Sequence, residues 1–294
     1  DMVSNLEKDD LVICLISGGA SGLLSLPAIS LNEMIRLNKS LLKCGANIHE
    51  MNTVRKHVSK IKGGNLAKMI YPAKLVNIIF SDVIGDNLSI IASGPTVRDN
   101  TVKADAEKII RKYKLHKPKL VETPKDHKYF KNVDNILLLN NKVAVDAMAE
   151  KAKRLGLDAM KYSNKINGEA RLVGRKIASL ARLRTAFIAA GETSVTVKGN
   201  NGKGGRNKEL VLGALKNIKG TMIAIGSDGM DNTDAAGAVA DRNSAKKAER
   251  LKLHADGYLK KNDSYHFFKK MRDLIFTGPT VTNVADLIVY VKVS

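Results

Sequence analysis

Short runs of apolar residues alternate along this chain with amphipathic segments of helical length. The run Val12–Ile16 is continuous, which is typical of a strand buried on both faces of a parallel sheet, and Leu75–Phe80 predicts another buried strand. Ser30 and Glu33 form a capping-box pattern ahead of a helix that we expect to end at Gly45. Strand and helix signals alternate along the rest of the sequence, which predicts the α/β class with mainly parallel pairing.

The second half of the sequence carries further strand signals. Two of them, Ala186–Ala190 and Ser194–Lys198, are too close for a helical crossover, so we expect the second sheet to be mixed. The polar, basic segment Lys114–Asn132 is the best linker candidate, and it divides the chain into domains 1–128 and 133–294. The other strands predicted here are Ile136–Leu139, Thr221–Ile225, Leu274–Thr277 and Leu287–Val291.

The first predicted strand stands almost at the start of the chain and has the apolar composition of a central strand. A central strand needs a neighbour on both sides. We therefore expect that residues ahead of Asp1 complete the first sheet.

Composition excludes several classes of protein. The 294 residues are 44% hydrophobic and 27% charged, which is typical of a globular protein and not of a disordered one. No apolar run is long enough for a membrane helix, and the start shows no signal-peptide pattern. The two cysteines, Cys14 and Cys44, fit free thiols in a reducing cytoplasm.

The net charge of +20 raises the question of nucleic-acid binding. The basic residues are scattered, aromatic residues make up only 4% of the chain, and there is no Trp to stack on bases. Lysine-rich usage or the attraction of an anionic substrate explains the charge at least as well. We therefore expect neither a nucleic acid nor a membrane as a partner.

Two glycine-rich turns follow predicted strands and lead into predicted helices. Such turns let the backbone approach a ligand closely, although a plain tight turn is the commoner explanation of either one alone. In Gly202–Glu209 the turn is followed by Arg206, which could grip a phosphate or carboxylate with two parallel hydrogen bonds. The turn Ser17–Gly22 is the second example. Together they suggest an enzyme with two anionic ligands.

Acidic residues follow two of the predicted strands. Asp82 and Asp86 come after Leu75–Phe80, while Asp228, Asp231 and also Asp234 follow Thr221–Ile225. Open α/β sheets bind ligands at such strand ends, and Mg²⁺ takes one or two carboxylates with water and phosphates. Aspartates that only stabilise turns are the simpler explanation for each one.

The segment His49–His57 is dense in functional side chains, among them Glu50, Arg55 and Lys56. A capped, solvated helix is the alternative reading. The sequence has neither a Walker loop nor a dinucleotide-binding glycine fingerprint after its first strand. Residue chemistry alone therefore indicates a two-domain α/β protein that acts on anions, with a metal left open.

A series of motifs in fixed order carries a resemblance to a known family. In this order the chain resembles the glycerate 2-kinase family with a MOFRL C-terminal domain, over nearly its whole length. The motifs that carry it are Leu15–Ser21, Glu50–His57 with Lys62–Gly64, Ser81–Asp86, Ala92–Thr96, Gly191–Thr193, Gly204–Glu209, Ser227–Asp231, Thr233–Ala238, Asn262–Tyr265, Thr277–Thr280 and Thr282–Val284.

The resemblance implies a phosphoryl transfer from ATP, with Mg²⁺, to the 2-hydroxyl of D-glycerate, giving 2-phospho-D-glycerate. It also implies a Rossmann-like three-layer α/β/α domain and a smaller mixed α/β MOFRL domain, with the active site in a cleft between them. The family's catalytic arginine falls on Arg206. Its partner lysine belongs to a Gly-Lys-Ala-Ala stretch further upstream, for which this sequence has no match, so an N-terminal segment of the family is lacking here.

Residue chemistry, taken together with the family's catalytic arginine, gives an expected role to further residues of the sequence. Arg206 is the expected catalytic residue, and Asp228, Asp82 or Glu50 would accept the hydroxyl proton. Mg²⁺ is expected on some of Asp82, Asp86, Asp228 and Asp231. Substrate or phosphate binding is expected from Ser17, Gly18, Gly19, Ser21, Arg55, Lys56, Glu192, Gly204, Gly205 and Asn207.

Two other functions stay open at this point. A hydroxypyruvate or tartronate reductase would need a nicotinamide cofactor, whose fingerprint is absent, and a non-catalytic binding module gains weight only if the upstream segment does not exist. The expected partners are D-glycerate and ATP in the cytoplasm, and whether the protein forms a homodimer is left open.

Overall fold

A computed structural model describes residue 3 and residues 5–197 and 202–293 of the chain. The chain divides into two compact units, Asp1–Leu138 and Leu139–Ser294, each with its own sheet. Helices and strands alternate in both units, which confirms the predicted α/β class.

Unit 1 is built on a three-stranded sheet. Its strands are β1 (Leu11–Ile16), β2 (Lys74–Phe80) and β3 (Val133–Leu139), in the order β1-β2-β3. β1 and β2 are parallel, as expected for buried strands joined through helices. The helices of this unit are α1 (Ala20–Leu23), α2 (Leu31–Lys43), α3 (Ile48–Lys56), α4 (Asn65–Ile70) and α5 (Lys103–Lys112).

Strand β1 differs from its prediction. Val12 and Cys14 pack with Leu75 and helix α4, but Ile13 and Leu15 on the opposite face are exposed. In the described part of the chain β1 pairs along one edge only. The prediction of burial on both faces was therefore wrong for these residues, because an apolar run reports the side chains and not what covers them.

The predicted linker is also part of unit 1. Within Lys114–Asn132, Leu120 is buried against the helices of this unit, and the Val121 amide donates to His57 O over 2.7 Å. β3 then pairs with β2, so the division between the compact units falls in β3, next to Leu138. The segment predicted as a linker therefore packs against the first unit, and the division into domains 1–128 and 133–294 stays a prediction.

Unit 2 contains a six-stranded mixed sheet in the order β4-β5-β9-β6-β7-β8. β4 and β5 are parallel, whereas β9 runs antiparallel to both of its neighbours, β5 and β6. The strands are β4 (Asp158–Ile166), β5 (Thr185–Gly191), β6 (Thr221–Gly226), β7 (Gly237–Ala240), β8 (Leu274–Ile275) and β9 (Asp286–Lys292).

The mixed character was predicted from the wrong pair of segments. Ser194 forms only an isolated bridge to Glu169, and residues 195–197 are not in a strand; Lys198 lies outside the described residues. The antiparallel pairing comes instead from β9 and from the β6–β7 pair. The strands β4 and β7 were not predicted, because several polar residues interrupt β4 and β7 is only four residues long.

The helices of unit 2 cover this sheet. Gly174 and Gly213 lie where α7 and α8 touch, and a Cβ at Gly174 would fall 1.9 Å from Leu210 O. The absence of side chains there lets the two backbones approach closely. The helices are α6 (Asn141–Arg154), α7 (Ala170–Ser179), α8 (Arg206–Ala214), α9 (Ser244–Arg250), α10 (Ala255–Lys260) and α11 (Ser264–Met271).

Candidate active site

A cleft of about 720 Å³ opens in unit 2 at the first turn of α8. Its walls come from the segment after β5, the glycine-rich turn before α8 and the loop after β6. The residues around it are Thr193, Ser194, Val195, Val197, Gly202, Gly204, Gly205, Arg206, Glu209, Asp228, Met230, Asp231, Asn232, Thr233 and Asn262. It thus brings together the predicted residues Gly204, Gly205, Arg206, Asp228 and Asp231.

Helix α8 begins where it does because Asp231 caps it from another loop. Asp231 Oδ1 accepts the amide of Asn207 over 3.1 Å, and Oδ2 accepts the amide of Lys208 over 3.0 Å. Gly205 lies against this cap, where a Cβ would come within 2.1 Å of Asp231 O. A glycine is therefore required at this position by close approach.

Arg206 is held by two carboxylates. Its Nε and Nη2 donate to Asp286 Oδ2 and Oδ1 over 2.6 and 3.1 Å, and Nη1 donates to Glu192 Oε1 over 2.5 Å. About a third of the side chain, 36%, stays exposed at the cleft. Partial burial alone would lower the pKa of Arg206, but the hydrogen bonds and charge of Asp286 raise it above its usual value. The guanidinium is therefore a permanent, oriented positive charge.

Asp286 is the main site residue that the sequence did not reveal. Its side chain is 3% exposed, and burial raises its pKa to about 6 although Arg206 acts in the opposite direction. It is the first residue of β9, two residues after the end of the motif Thr282–Val284. An acidic residue at the start of a predicted strand was the available signal, but its partner is 80 residues away along the chain.

Asp231, which the sequence predicted as a metal ligand, uses its carboxylate oxygens to hold the first turn of α8. Each of its carboxylate oxygens accepts two hydrogen bonds from the first turn of α8. One of the donors is Lys208 Nζ, 2.7 Å from Oδ2, and both side chains of this ion pair are buried. Burial lowers the pKa of Lys208, and the charge of Asp231 counteracts this. Because its lone pairs are taken, Asp231 has little capacity left for a cation.

Two further aspartates follow β6. Asp228 lies at the cleft, and its Oδ1 accepts the amide of Met230 over 3.0 Å, as in the turn that the sequence suggested. Asp234 accepts a hydrogen bond from Tyr265 over 3.3 Å, which lowers its pKa. Asp228 is thus the carboxylate of this loop that lines the cleft without capping a helix.

Three buried polar atoms near the cleft have no hydrogen-bond partner among the described residues. They are Thr193 Oγ1, Asn207 Oδ1 and Ser264 Oγ. Thr193 lines the cleft itself, and Ser264 lies against Gly204. Buried polar atoms normally find a partner, so these atoms mark where a polar ligand would be stabilised.

The second glycine-rich turn lies in unit 1. Gly19 has a φ of 83°, and the helix α1 that follows has only four residues. The Ala20 amide is used within the turn, since it donates to Ser17 O over 3.3 Å. Ser17, Gly19 and Ser21 are exposed, and Gly18 is half-buried. This turn is therefore accessible and does lead into a helix, but that helix has only about one turn.

The functional side chains predicted in His49–His57 lie at helix α3, and they have different partners. Glu50 forms the capping box of α3 with Asn47. Hydrogen bonds from Lys112, Asn47 and Tyr113 lower its pKa to about 2, which makes it a poor proton acceptor. Lys56 is buried in an ion pair with Asp99 at 3.1 Å. Arg55 has a neutral partner, the Asn38 side chain.

Asp82 and Asp86 lie in the turn that follows β2, where Gly85 and Asp86 both have positive φ. Both side chains are half-buried. They belong to unit 1, and the other predicted metal ligand, Asp231, belongs to unit 2. Among the residues that the structure describes, no group of three or more His, Cys, Asp or Glu side chains could hold a metal ion. A pair of carboxylates in one turn still suits Mg²⁺, which needs only one or two.

Comparison with known families gives two matches along the chain. Residues 1–124 match a family described as a domain of unknown function, DUF4147, and residues 185–286 match the MOFRL family. In the described part of the chain no helix combines the length and the apolar character needed to span a bilayer.

Similar proteins agree with these matches. A D-glycerate 2-kinase from Thermotoga maritima is 42% identical over 98% of this chain and 74% of its own length. A crystal structure named as glycerate kinase from the same organism matches with a TM-score of 0.94 and covers 99% of this chain and 75% of that one. A protein from Agrobacterium vitis, provisionally named hydroxypyruvate reductase, is 40% identical over 97% of this chain and 70% of its own.

Proposed function

Because this chain belongs to the glycerate 2-kinase family with a MOFRL domain, we propose that it transfers the γ-phosphoryl group of ATP to the 2-hydroxyl of D-glycerate. The observation that carries the proposal is Arg206, a fixed cation at the head of α8 in a cleft lined by polar groups. Since ATP is held inside the cell, the proposal places the enzyme in the cytoplasm.

Arg206 stabilises the charge that develops on the transferred phosphoryl group. Phosphoryl transfer depends mainly on positioning and on neutralising the oxygens of the moving group. Asp286 and Glu192 fix the guanidinium, so no reorganisation is needed as the reaction proceeds. The buried hydroxyl of Thr193 can donate a hydrogen bond to a bound ligand, and Asn207 Oδ1 can accept one from it.

Asp228 is the proposed acceptor of the hydroxyl proton. It lines the cleft, whereas Glu50 is tied to the cap of α3 with its pKa near 2. A carboxylate with so low a pKa takes up a proton poorly. We keep Asp82 and Asp86 as the ligands that would hold Mg²⁺, and leave Asp231 out because α8 uses its oxygens. When bound, Mg²⁺ would neutralise phosphate charge.

The test is a coupled assay with ATP, Mg²⁺ and D-glycerate. ADP release is followed with pyruvate kinase and lactate dehydrogenase, and the product is then offered to enolase with and without phosphoglycerate mutase. Turnover by enolase alone would support phosphorylation at position 2, whereas a need for the mutase would indicate position 3. Absence of ADP release together with NADH consumption on hydroxypyruvate would overturn the kinase proposal in favour of the reductase.

A further inference from the structure

Lys62 is a buried cation of unit 1 whose partners are all neutral. Its residue is 1% exposed. Its Nζ donates to Ser21 O over 2.8 Å and to Ala92 O over 3.4 Å. An ammonium group carries three donors, and burial of a charge without a counter-ion is costly. The environment of Lys62 is therefore incomplete for a cation.

The position of this lysine is fixed by its backbone. Its amide donates to Ser59 Oγ over 3.1 Å, and its carbonyl accepts the Asn65 side chain over 2.8 Å. The next residue, Gly63, has a φ of 62° and donates to Ser93 O over 3.0 Å. The side chain thus starts from a rigid point, which is what a preorganised binding group requires.

A second cation without a counter-ion lies close to it. Arg55 is half-buried, and its Nε donates to the neutral Asn38 side chain over 3.0 Å. Burial first, and the charge of Arg55 second, lower the pKa of Lys62 to about 8. The neighbouring Lys56 is neutralised by Asp99. Across the described ranges, neither Arg55 nor Lys62 takes part in an ion pair, so an anion would relieve their mutual repulsion.

The place of this pair in the fold also suits a ligand. Ser21 belongs to the segment after β1, and Ala92 belongs to the segment after β2. Ala92 packs with Ile16 and Ile79, which stand at the carboxyl ends of these two adjacent parallel strands, where open α/β sheets bind small molecules. The Nζ of Lys62 thus contacts both segments, and its contact with Ser21 O lies in the exposed turn Ser17–Ser21.

We propose that Lys62 and Arg55 form an oxyanion subsite in unit 1 that binds the carboxylate or phosphate group of a small molecule. The inference rests on the proposed function only for the identity of that molecule, which would be D-glycerate or the nucleotide. Lys62 takes the place that the sequence had assigned to Lys56.

The test is equilibrium binding to the full chain by calorimetry, with D-glycerate and ADP as separate probes. Lys62→Met removes one cation and Arg55→Gln the other, while Lys60→Met removes an exposed lysine two residues away as the matched control. We expect each site variant to lower the affinity for one of the two probes by about 10- to 100-fold, the range for a lost hydrogen bond to a charged group. The control should bind like the wild type.

The outcomes separate the sources of the anion. Loss of D-glycerate binding with ADP binding retained assigns the subsite to the carboxylate, and the reverse assigns it to phosphate. Unchanged affinity for both probes in folded Lys62→Met and Arg55→Gln would overturn the proposal. If the role of Lys62 were only structural, Lys62→Met would lower the melting temperature of the free protein without selectively weakening the binding of one probe.

A second measurement covers the case in which Lys62→Met does not fold or the wild type binds neither probe. The ¹⁵N resonance of Lys62 Nζ, assigned by its absence in Lys62→Arg, is followed during titration with inorganic phosphate. A saturable shift that Arg55→Gln weakens supports the subsite even if the kinase proposal fails. A resonance that does not respond to phosphate, D-glycerate or ADP overturns it.

Discussion

At the scale of single residues, the candidate site depends on how one arginine is oriented. Arg206 alone would be a flexible side chain with many rotamers. Asp286 holds two of its nitrogens and Glu192 holds a third, so the charge has a defined direction before any ligand arrives. Preorganised charge of this kind stabilises a transition state more than a mobile charge does.

Removal of this charge should suppress the chemical step. We expect Arg206→Ala to lower kcat by about 100- to 1,000-fold, as loss of one such donor does in other enzymes, with a smaller change in KM. Steady-state kinetics of the coupled assay measure this. Arg242→Ala, an exposed arginine of the same unit, is the matched control. A rise in KM with kcat unchanged would contradict the assigned role.

The acid side of the pH profile should report Asp286. Below a pH of about 6 its carboxyl group becomes neutral and Arg206 loses a charged partner, so kcat should fall as the pH drops through about 6. The Asp286→Asn variant should be less active but without that acid limb. Asp273→Asn, which alters a peripheral ion pair, should keep it. An unchanged limb in Asp286→Asn would contradict the assignment.

Protonation of Asp286 should lower kcat, but it should have the opposite effect on stability and favour the folded state. Its pKa in the folded protein lies above the ordinary value of 3.8, so the native state binds this proton more tightly than the unfolded chain. Its contribution to the free energy of unfolding is therefore present below pH 3.8 and is lost as the pH rises through about 6. Loss of activity on acidification cannot then be attributed to this group's effect on folding.

The site residues differed in how far the sequence could identify them. Arg206 and its glycines were identifiable because the chemistry is local: a turn, a helix start and a cation within a few residues. Asp286 and Lys62 were not, since what makes them important is burial beside partners distant along the chain. Glu50 has functional side chains around it in the sequence, but its hydrogen bonds cap helix α3 and join it to Lys112 and Tyr113 of another segment.

At the scale of elements, the first turn of α8 is the feature on which the cleft depends. Asp231 caps this turn from the β6 loop and also forms the buried ion pair with Lys208. The same carboxylate thus joins the helix to the loop that carries Asp228. Such a cap fixes both cleft walls at once.

The variant Asp231→Ala tests this structural role. It leaves Lys208 charged and buried, which should lower the free energy of unfolding by about 3–5 kcal/mol. Urea denaturation measures the change, and the double variant Asp231→Ala/Lys208→Met should be more stable than the single one. If the wild type instead gained stability from Mg²⁺ and Asp231→Ala abolished that gain, the originally predicted metal role would be favoured.

Close packing of α7 on α8 should be equally sensitive. Gly174→Ala places a methyl group against Leu210 O and should lower the free energy of unfolding by about 1–3 kcal/mol, the usual range for overpacking. Gly257→Ala is the matched control, because its Cβ in α10 would meet nothing within 4 Å. That variant should gain about 0.5–1 kcal/mol from helix propensity. Equal effects of both in urea denaturation would contradict the packing argument.

The elements themselves were predictable where apolar runs are short and uniform. β2 and β5 fall close to their predicted limits for this reason. β4 was missed because polar residues interrupt it, and it is a strand through its pairing with β5. Ser194 was misassigned because local composition cannot show whether a partner strand is within reach.

At the scale of the whole molecule, the charge of +20 is the feature that acts over the greatest distance. A basic protein attracts small anions before contact, and salt screens this attraction beyond about 10 Å at 0.1 M ionic strength. Both proposed ligands are anions. The charge therefore bears on how fast they arrive more than on the reaction that follows.

This argument predicts a specific dependence on salt. Raising KCl from low to physiological concentration should lower kcat/KM for D-glycerate and for ATP, while kcat changes little, because association slows and the chemical step does not. Potassium acetate at the same ionic strength should give the same decline, which excludes specific chloride binding. A kcat that falls in proportion to kcat/KM would contradict charge-assisted association.

The position of β9 has a consequence for synthesis on the ribosome. This strand follows every other strand of unit 2 in sequence, yet it lies between β5 and β6 in the sheet. While the chain emerges from the exit tunnel, β5 cannot yet be joined to β6, because β9, the strand that pairs with both, has not been synthesised. Arg206 also lacks its main anchor, since Asp286 opens β9. The cleft can therefore mature only after the last strand has been released, and a nascent chain stalled before it would have no assembled site.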